Sequence, residues 1–156
     1  MICVFFGHRF ILESEKVEAQ LKRVVENLIQ EGVDTFWLGG YGEFDAMATK
    51  ITKKCQAAFP HIKRVLVLPY LPTNKEEYQL TRLYYDEIFL PEGVEIGPPK
   101  FAIIRRNRYM VANADIVVTC VDRKTGGAAQ ALKQAKHLKK RVIELSVNAL
   151  SDKGQK

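Results

Sequence analysis

The chain has 156 residues, 47% apolar and 27% charged, with 24 Lys and Arg against 18 Asp and Glu for a net charge of +6. That length buries a core without staples, and no apolar run approaches the roughly 18 residues a membrane crossing needs, which excludes a disulfide-held miniature and a helical membrane span. Cys3, Cys55 and Cys120 are odd in number and far apart, and His8, His61 and His137 are scattered. No disulfide framework, metal site or membrane partner is therefore expected, and a reducing, cytoplasmic setting is.

Taken in chain order, short apolar runs alternate with longer periodic stretches. The opening run lacks a basic flank and a small-residue cleavage site, so Cys3–Phe6 reads as a buried strand rather than a leader. Residues 14–31 place Val17, Leu21, Val24, Val25, Leu28 and Ile29 on one helical stripe, with Ser14 as N-cap and Gly32 closing it. Thr35–Leu38 is a second strand. A glycine turn then leads to a helix with Phe44, Met47, Ala48, Ile51, Cys55 and Ala58 inward, ended by Pro60. Val65–Leu68 is a third strand; Lys75–Tyr85 reads as a helix and Ile88–Leu90 as a short strand, before a loop rich in Pro and Gly. A helix from about Lys100 to Ala112 precedes the strand Ile116–Val121. Gly126–Lys139 is a helix striped by Ala128, Ala131, Leu132, Ala135 and Leu138, and Val142–Leu145 is the last strand.

Strands apolar throughout are buried on both faces, and their alternation with helices predicts an α/β, three-layer Rossmann-like fold with a mostly parallel sheet. A single domain over 1–147 and a flexible tail over 148–156 are expected.

The charge is unevenly placed. Residues 1–99 carry a net −3, whereas residues 100–141 carry +9, with Arg105, Arg106 and Arg108 clustered before the Ile116 strand. Such a concentration favours an anionic partner, although Lys133, Lys136, Lys139 and Lys140 read as a solvated helix face.

Ligands of parallel α/β sheets bind beyond the carboxyl ends of the strands. There the first strand runs into Gly7-His8-Arg9, the second into Gly39-Gly40-Tyr41-Gly42-Glu43-Phe44-Asp45, and the strand at 116–121 leads to Gly126-Gly127. Glycine admits close backbone approach, and the helix that follows offers unpaired N–H groups to a phosphate. No Gly-Lys-Ser/Thr is present, which excludes a P-loop. Asp45 stands where a dinucleotide fingerprint has its third glycine and would repel a pyrophosphate, so no dinucleotide cofactor is expected. Asp45 or Glu43 suits ribose hydroxyls instead.

These residues, with Arg106-Asn107-Arg108-Tyr109-Met110 and Ala114-Asp115, resemble in order and spacing the YpsA-like branch of the SLOG superfamily, which also holds the LOG phosphoribohydrolases and the Rossmann-like domain of DprA. The resemblance spans about residues 2–145. It implies a nucleotide-binding Rossmann-like fold and a homodimer or higher homo-oligomer. LOG enzymes cleave the N-glycosidic bond of nucleoside monophosphates. In their pattern Arg106 and Asn107 fall on an Arg-Lys pair, Ala114-Asp115 on a Ser-Asp, and Gly126-Gly127 on the glycine pair; Ala129 and Gln130 replace Gly-Thr, and Lys133 takes the place of a glutamate. An ammonium there opposes the positive charge that glycosidic cleavage builds on the ribose.

The reading that results is a binder of a nucleotide or nucleotide-derived small molecule, as sensor or accessory module. Its ligand-binding residues would be Gly7, His8, Arg9, Gly39, Gly40, Gly42, Glu43, Asp45, Arg106, Asn107, Gly126 and Gly127, and no catalytic residue is assigned. The alternatives are a nucleotide N-glycosidase with a relocated carboxylate and a DprA-like nucleic-acid binder. Against the last, the basic stretch contains only Phe101 and Tyr109 as aromatics for stacking.

Overall fold

The computed structural model describes residues 1–146. Six strands, β1 (Ile2–Gly7), β2 (Thr35–Leu38), β3 (Lys63–Val67), β4 (Glu87–Phe89), β5 (Ile116–Cys120) and β6 (Arg141–Leu145), form one sheet ordered β4-β3-β2-β1-β5-β6. Every pairing is parallel, a stricter arrangement than the mostly parallel sheet expected. Five helices accompany it: α1 (Ser14–Gln30), α2 (Glu43–Ala58), α3 (Lys75–Arg82), α4 (Ala102–Asn113) and α5 (Gly127–His137).

Alternation along the central strands feeds two cores. Cys3 and Phe5 of β1, with Ile116 and Val118 of β5, pack against Val17, Leu21, Val25 and Leu28 of α1 and Phe44, Ala48 and Ile51 of α2. Val4, Phe6 and Val117 point the other way, to Met110 and Val111 of α4 and Ala131 and Ala135 of α5. Helices thus cover both faces, and the three-layer α/β architecture is the one the apolar strands predicted. No helix among the described residues is long and apolar enough to cross a membrane.

From β1 the chain winds outward to β4, then returns to the far side of β1 for β5 and β6. The reversal falls between β1 and β5. A switch of this kind leaves a crevice past the strand ends because the flanking connections leave in opposite directions.

Several local expectations are corrected. The cap of α1 is Glu13, in a left-handed conformation, with its carbonyl accepting from the N–H groups of Lys16 and Val17; Ser14 is already helical and caps nothing. Gly32 does end that helix, at φ 108°, with Val33 N–H donating to Leu28 O and Gly32 N–H to Ile29 O. Ala58 is exposed at the end of α2. Leu138 is 43% exposed, because α5 stops one residue before it. The helix expected from Lys100 starts as a 3-10 turn over Pro99–Phe101 before α4. Helix α3 ends at Arg82 and buries none of its residues, so it is a surface element. The tail expected over 148–156 lies outside the described residues.

Candidate functional site

A cavity of about 280 Å³ fills the crevice. From the β1 end it takes Gly7, His8 and Arg9, and from the β2–α2 turn Gly39 and Asp45; α4 supplies Arg106 and Asn107, and the turn into α5 supplies Gly126 and Gly127. Nine of the twelve expected residues therefore meet. Gly40, Gly42 and Glu43 do not line this cavity. Gly40 faces a second, adjoining one, and Gly42 packs so closely on Arg9 that a Cβ would lie 3.1 Å from its Cα. The Glu43 carboxylate accepts from Ile11 N–H at 2.9 Å, tying the segment after β1 to α2.

The two glycine turns differ in what they leave free. At α2 the Glu43 N–H donates to Arg9 O at 2.9 Å and the Tyr41 N–H to Asp45 Oδ2 at 3.0 Å. The first amide of that helix and the Tyr41 amide just ahead of it are thus taken by the protein's own oxygens. At α5 the cap is Gly126, at φ 100°, with no side-chain cap and no acidic residue in the first turn. The first amides of α5 open toward the cavity with the positive end of the helix dipole behind them.

Arg106 stands opposite. Its side chain is buried, with Nη1 donating to Gly39 O and Val67 O, both at 2.9 Å, and Nε donating to Asn107 Oδ1 at 3.0 Å. Two carbonyls from the ends of β2 and β3 thus fix the guanidinium, while Nη2 takes part in none of these bonds. Burial lowers the Arg106 pKa and the nearby Asp45 opposes that shift. An arginine titrates far above neutrality and stays charged. Because Oδ1 of Asn107 is engaged by Arg106, its amide offers the Nδ2 donor on the side of Gly127, where a Cβ would lie 3.7 Å from it.

Asp45 is buried in the wall of this cavity, and loss of hydration pushes its carboxyl up to about 7 against the pull of Arg106. Near neutrality it exists in both protonation states. His8 is also buried, and its Nε2 accepts from the N–H groups of Asp122 at 3.1 Å and Arg123 at 3.2 Å. Burial lowers its pKa, Arg123 adds to the shift and Asp122 opposes it, so the neutral ring is the native form. His8 latches the end of β1 to the loop before α5.

The arginine cluster divides by helical geometry, since successive side chains of α4 point about 100° apart. Arg105 donates to Val94 O and Pro98 O and clasps the Pro/Gly-rich loop. Arg106 enters the cavity and Arg108 is exposed. The LOG-like positions divide too. Asp115 accepts from Ile2 N–H at 2.7 Å, at the amino end of the sheet, opposite the cavity. Lys133 lines a groove between α4 and α5 instead.

Sequence reasoning missed Tyr41, Ile103, Met110 and Arg123 in the cavity wall. Ile103 and Met110 recur at helical spacing around Arg106, a signal that was available. Tyr41 and Arg123 carry no local one. The guanidinium of Arg9 lies 4.6 Å from the Tyr41 ring centroid, which places both at the cavity mouth.

A parallel, doubly wound sheet with a crevice at its switch point defines a Rossmann-like fold. No protein-family model matches the sequence, and no curated protein matches it. Among solved structures, DNA processing protein A (DprA) from Helicobacter pylori, described for its single-stranded DNA binding mode, aligns at TM-score 0.67 and 17% identity over 99% of this chain and 73% of its own. DprA from Streptococcus pneumoniae aligns at TM-score 0.66 and 17% identity over 91% of this chain and 49% of its own. TM1055, a structural-genomics target, aligns at TM-score 0.59 and 15% identity over 90% of this chain and 71% of its own. The chain has the DprA-like Rossmann fold.

Proposed function

We propose that this chain binds a nucleotide or nucleotide-derived small molecule, as a sensor or an accessory module. What carries the reading is the uncapped start of α5 facing Arg106 across the crevice. A phosphate there accepts from the α5 amides and Asn107 Nδ2 and pairs with the free edge of Arg106. Asp45, at the opposite wall, receives a ribose hydroxyl. Arg9 and Arg123 add positive charge at the rim.

The test is a thermal-shift screen over mono-, di- and cyclic nucleotides and nucleotide sugars. A ligand at a hundred times its dissociation constant adds about 2.7 kcal/mol, a rise of several degrees in Tm. Gly127→Asp places a carboxylate in the first turn of α5, where space exists for its Cβ, and is expected to fold and abolish the shift. An unchanged shift in that variant overturns the reading, as does a screen in which no compound raises Tm. Oligonucleotides belong in the same screen, given the single-stranded DNA binding described for the Helicobacter pylori neighbour. Binding through many phosphates weakens steeply with salt; a pocket ligand responds weakly.

A second reading rests on Asp45. A buried carboxyl half-protonated near neutrality suits general acid work, and it would take over where Lys133 stands for the LOG glutamate. Incubation with nucleoside monophosphates followed by chromatography decides this. Release of free base supports an N-glycosidase, and its absence from every reaction removes it.

A further inference from the structure

Five of the six tyrosines of the chain line one cavity. Tyr41, Tyr70, Tyr78, Tyr84 and Tyr85 come from the β2–α2 turn, the β3–α3 loop, and α3 with the residues after it, and they surround a space of about 540 Å³. The sixth, Tyr109, is stacked on Trp37 at 5.9 Å behind the sheet. This cavity shares Gly39, Tyr41, Ile103 and Arg106 with the crevice described above, so the two adjoin, with the Arg106 side chain in their common wall.

The two halves differ in charge. Around the crevice stand Arg9, Arg106 and Arg123, with Asp45 in its wall. Around the tyrosines the charged groups are Arg106, at the boundary, and Glu77; the other polar groups are hydroxyls and the Asn74 amide, whose Oδ1 already caps α3 through Glu77 N–H at 3.1 Å. Gly40 lines the tyrosine side, where a Cβ would lie 2.9 Å from Leu66 Cδ1. Tyr41 and Tyr70 are each 51% exposed and Tyr84 62%, an aromatic surface left uncovered inside a concavity. Arg64, fully buried, holds the far wall by donating to the carbonyls of Tyr84 and Thr49, with its Cζ 5.4 Å from the Tyr85 ring centroid.

We infer that the tyrosine-lined cavity is the ring-binding half of the same site: it receives the planar, uncharged heterocycle of a nucleotide whose phosphate lies at the start of α5. The inference rests on the phosphate reading above and adds to it the orientation of the ligand, phosphate toward β5 and base toward β3 and β4. Stacked rings gain from Tyr faces irrespective of base identity, and the Thr73 hydroxyl offers an edge hydrogen bond.

The test titrates AMP, GMP, CMP, UMP and ribose 5-phosphate into wild type, Gly127→Asp, and the double variant Tyr70→Ala/Tyr78→Ala. Tyr84 and Tyr85 are left intact because Arg64 is anchored on them. The tightest mononucleotide is expected to bind the double variant about tenfold more weakly, the cost of one lost base–aromatic contact. In ring-labelled protein the Tyr70 and Tyr78 proton signals should move with that mononucleotide and stay fixed with ribose 5-phosphate. Affinity within twofold of wild type and unmoved tyrosine signals, with binding still abolished by Gly127→Asp, overturn the ring subsite and leave the phosphate site standing. If no mononucleotide binds wild type, both fall.

Discussion

Arg106 aims its neighbour: its Nε–H donates to Asn107 Oδ1 at 3.0 Å, which turns the Asn107 Nδ2 group to the Gly127 side of the crevice. A substitution of Asn107 by Asp keeps the acceptor for Arg106 and replaces the outward donor with a carboxylate oxygen. Asn107→Asp is expected to fold as wild type, by circular dichroism and thermal melting. It is expected to lose nucleotide affinity tenfold or more by calorimetry, since a donor to a charged phosphate contributes about 1.5–3 kcal/mol. Wild-type affinity in this variant would contradict the assignment.

Gly7 sits against the Phe44 ring so closely that any Cβ at position 7 would overlap it. Phe44 is fully buried on α2 and has nowhere to move. Gly7→Ala is expected to lower unfolding stability by about 2–3 kcal/mol in urea, the cost of overpacking a core. The companion Gly7→Ala/Phe44→Leu should recover part of that loss. No recovery would show that the strain lies elsewhere.

Asp45 makes stability depend on pH in an unusual direction. Its native carboxyl titrates at about 7, above the 3.8 of the unfolded chain, so between those values the native state holds a proton that the unfolded state has released. Its contribution is therefore full below pH 4, declines as pH rises through 7, and is flat above. Asp45→Asn keeps an acceptor for Tyr41 N–H and removes the slope. The variant is expected to melt a few degrees above wild type at pH 8 and to show no gain at pH 4. Equal melting temperatures at pH 8 would refute this.

His8 acts in the other direction. Its native pKa lies below the usual 6.5, so the neutral ring that accepts from Asp122 and Arg123 is stabilising above that value and loses its advantage as pH falls from about 6.5 toward the native pKa. His8→Gln preserves an acceptor at the Nε2 position without a titrating group. Urea-unfolding stability measured from pH 7 to 5 should fall less in His8→Gln than in wild type. Parallel curves would remove His8 as the source.

The sheet was legible because Cys3–Phe6 is apolar at every position and Ile116–Val121 at every position but Thr119, a pattern that suits strands buried on both faces. The helix starts at 43 and 127 were legible from the glycines before them. What those glycines do was not. Whether a helix start is free depends on which oxygens reach it through space, and nothing near Glu43 announces that Arg9 O occupies its N–H. Gly7 is set by a ring 37 positions away in the chain. The tyrosine cavity draws on residues from 41 to 85 with no common period, because loop residues converge through the sheet rather than along the sequence. Ser14 failed as a cap because the chain reaches α1 through a left-handed Glu13, a backbone choice that side-chain preference does not encode.

Arg106 reaches the crevice already held by Gly39 O and Val67 O, two carbonyls of strand ends that cannot drift without breaking the sheet. A ligand arriving there meets a preorganised cation and has little side-chain entropy to quench, so its release, more than its capture, should respond to mutations that loosen those anchors.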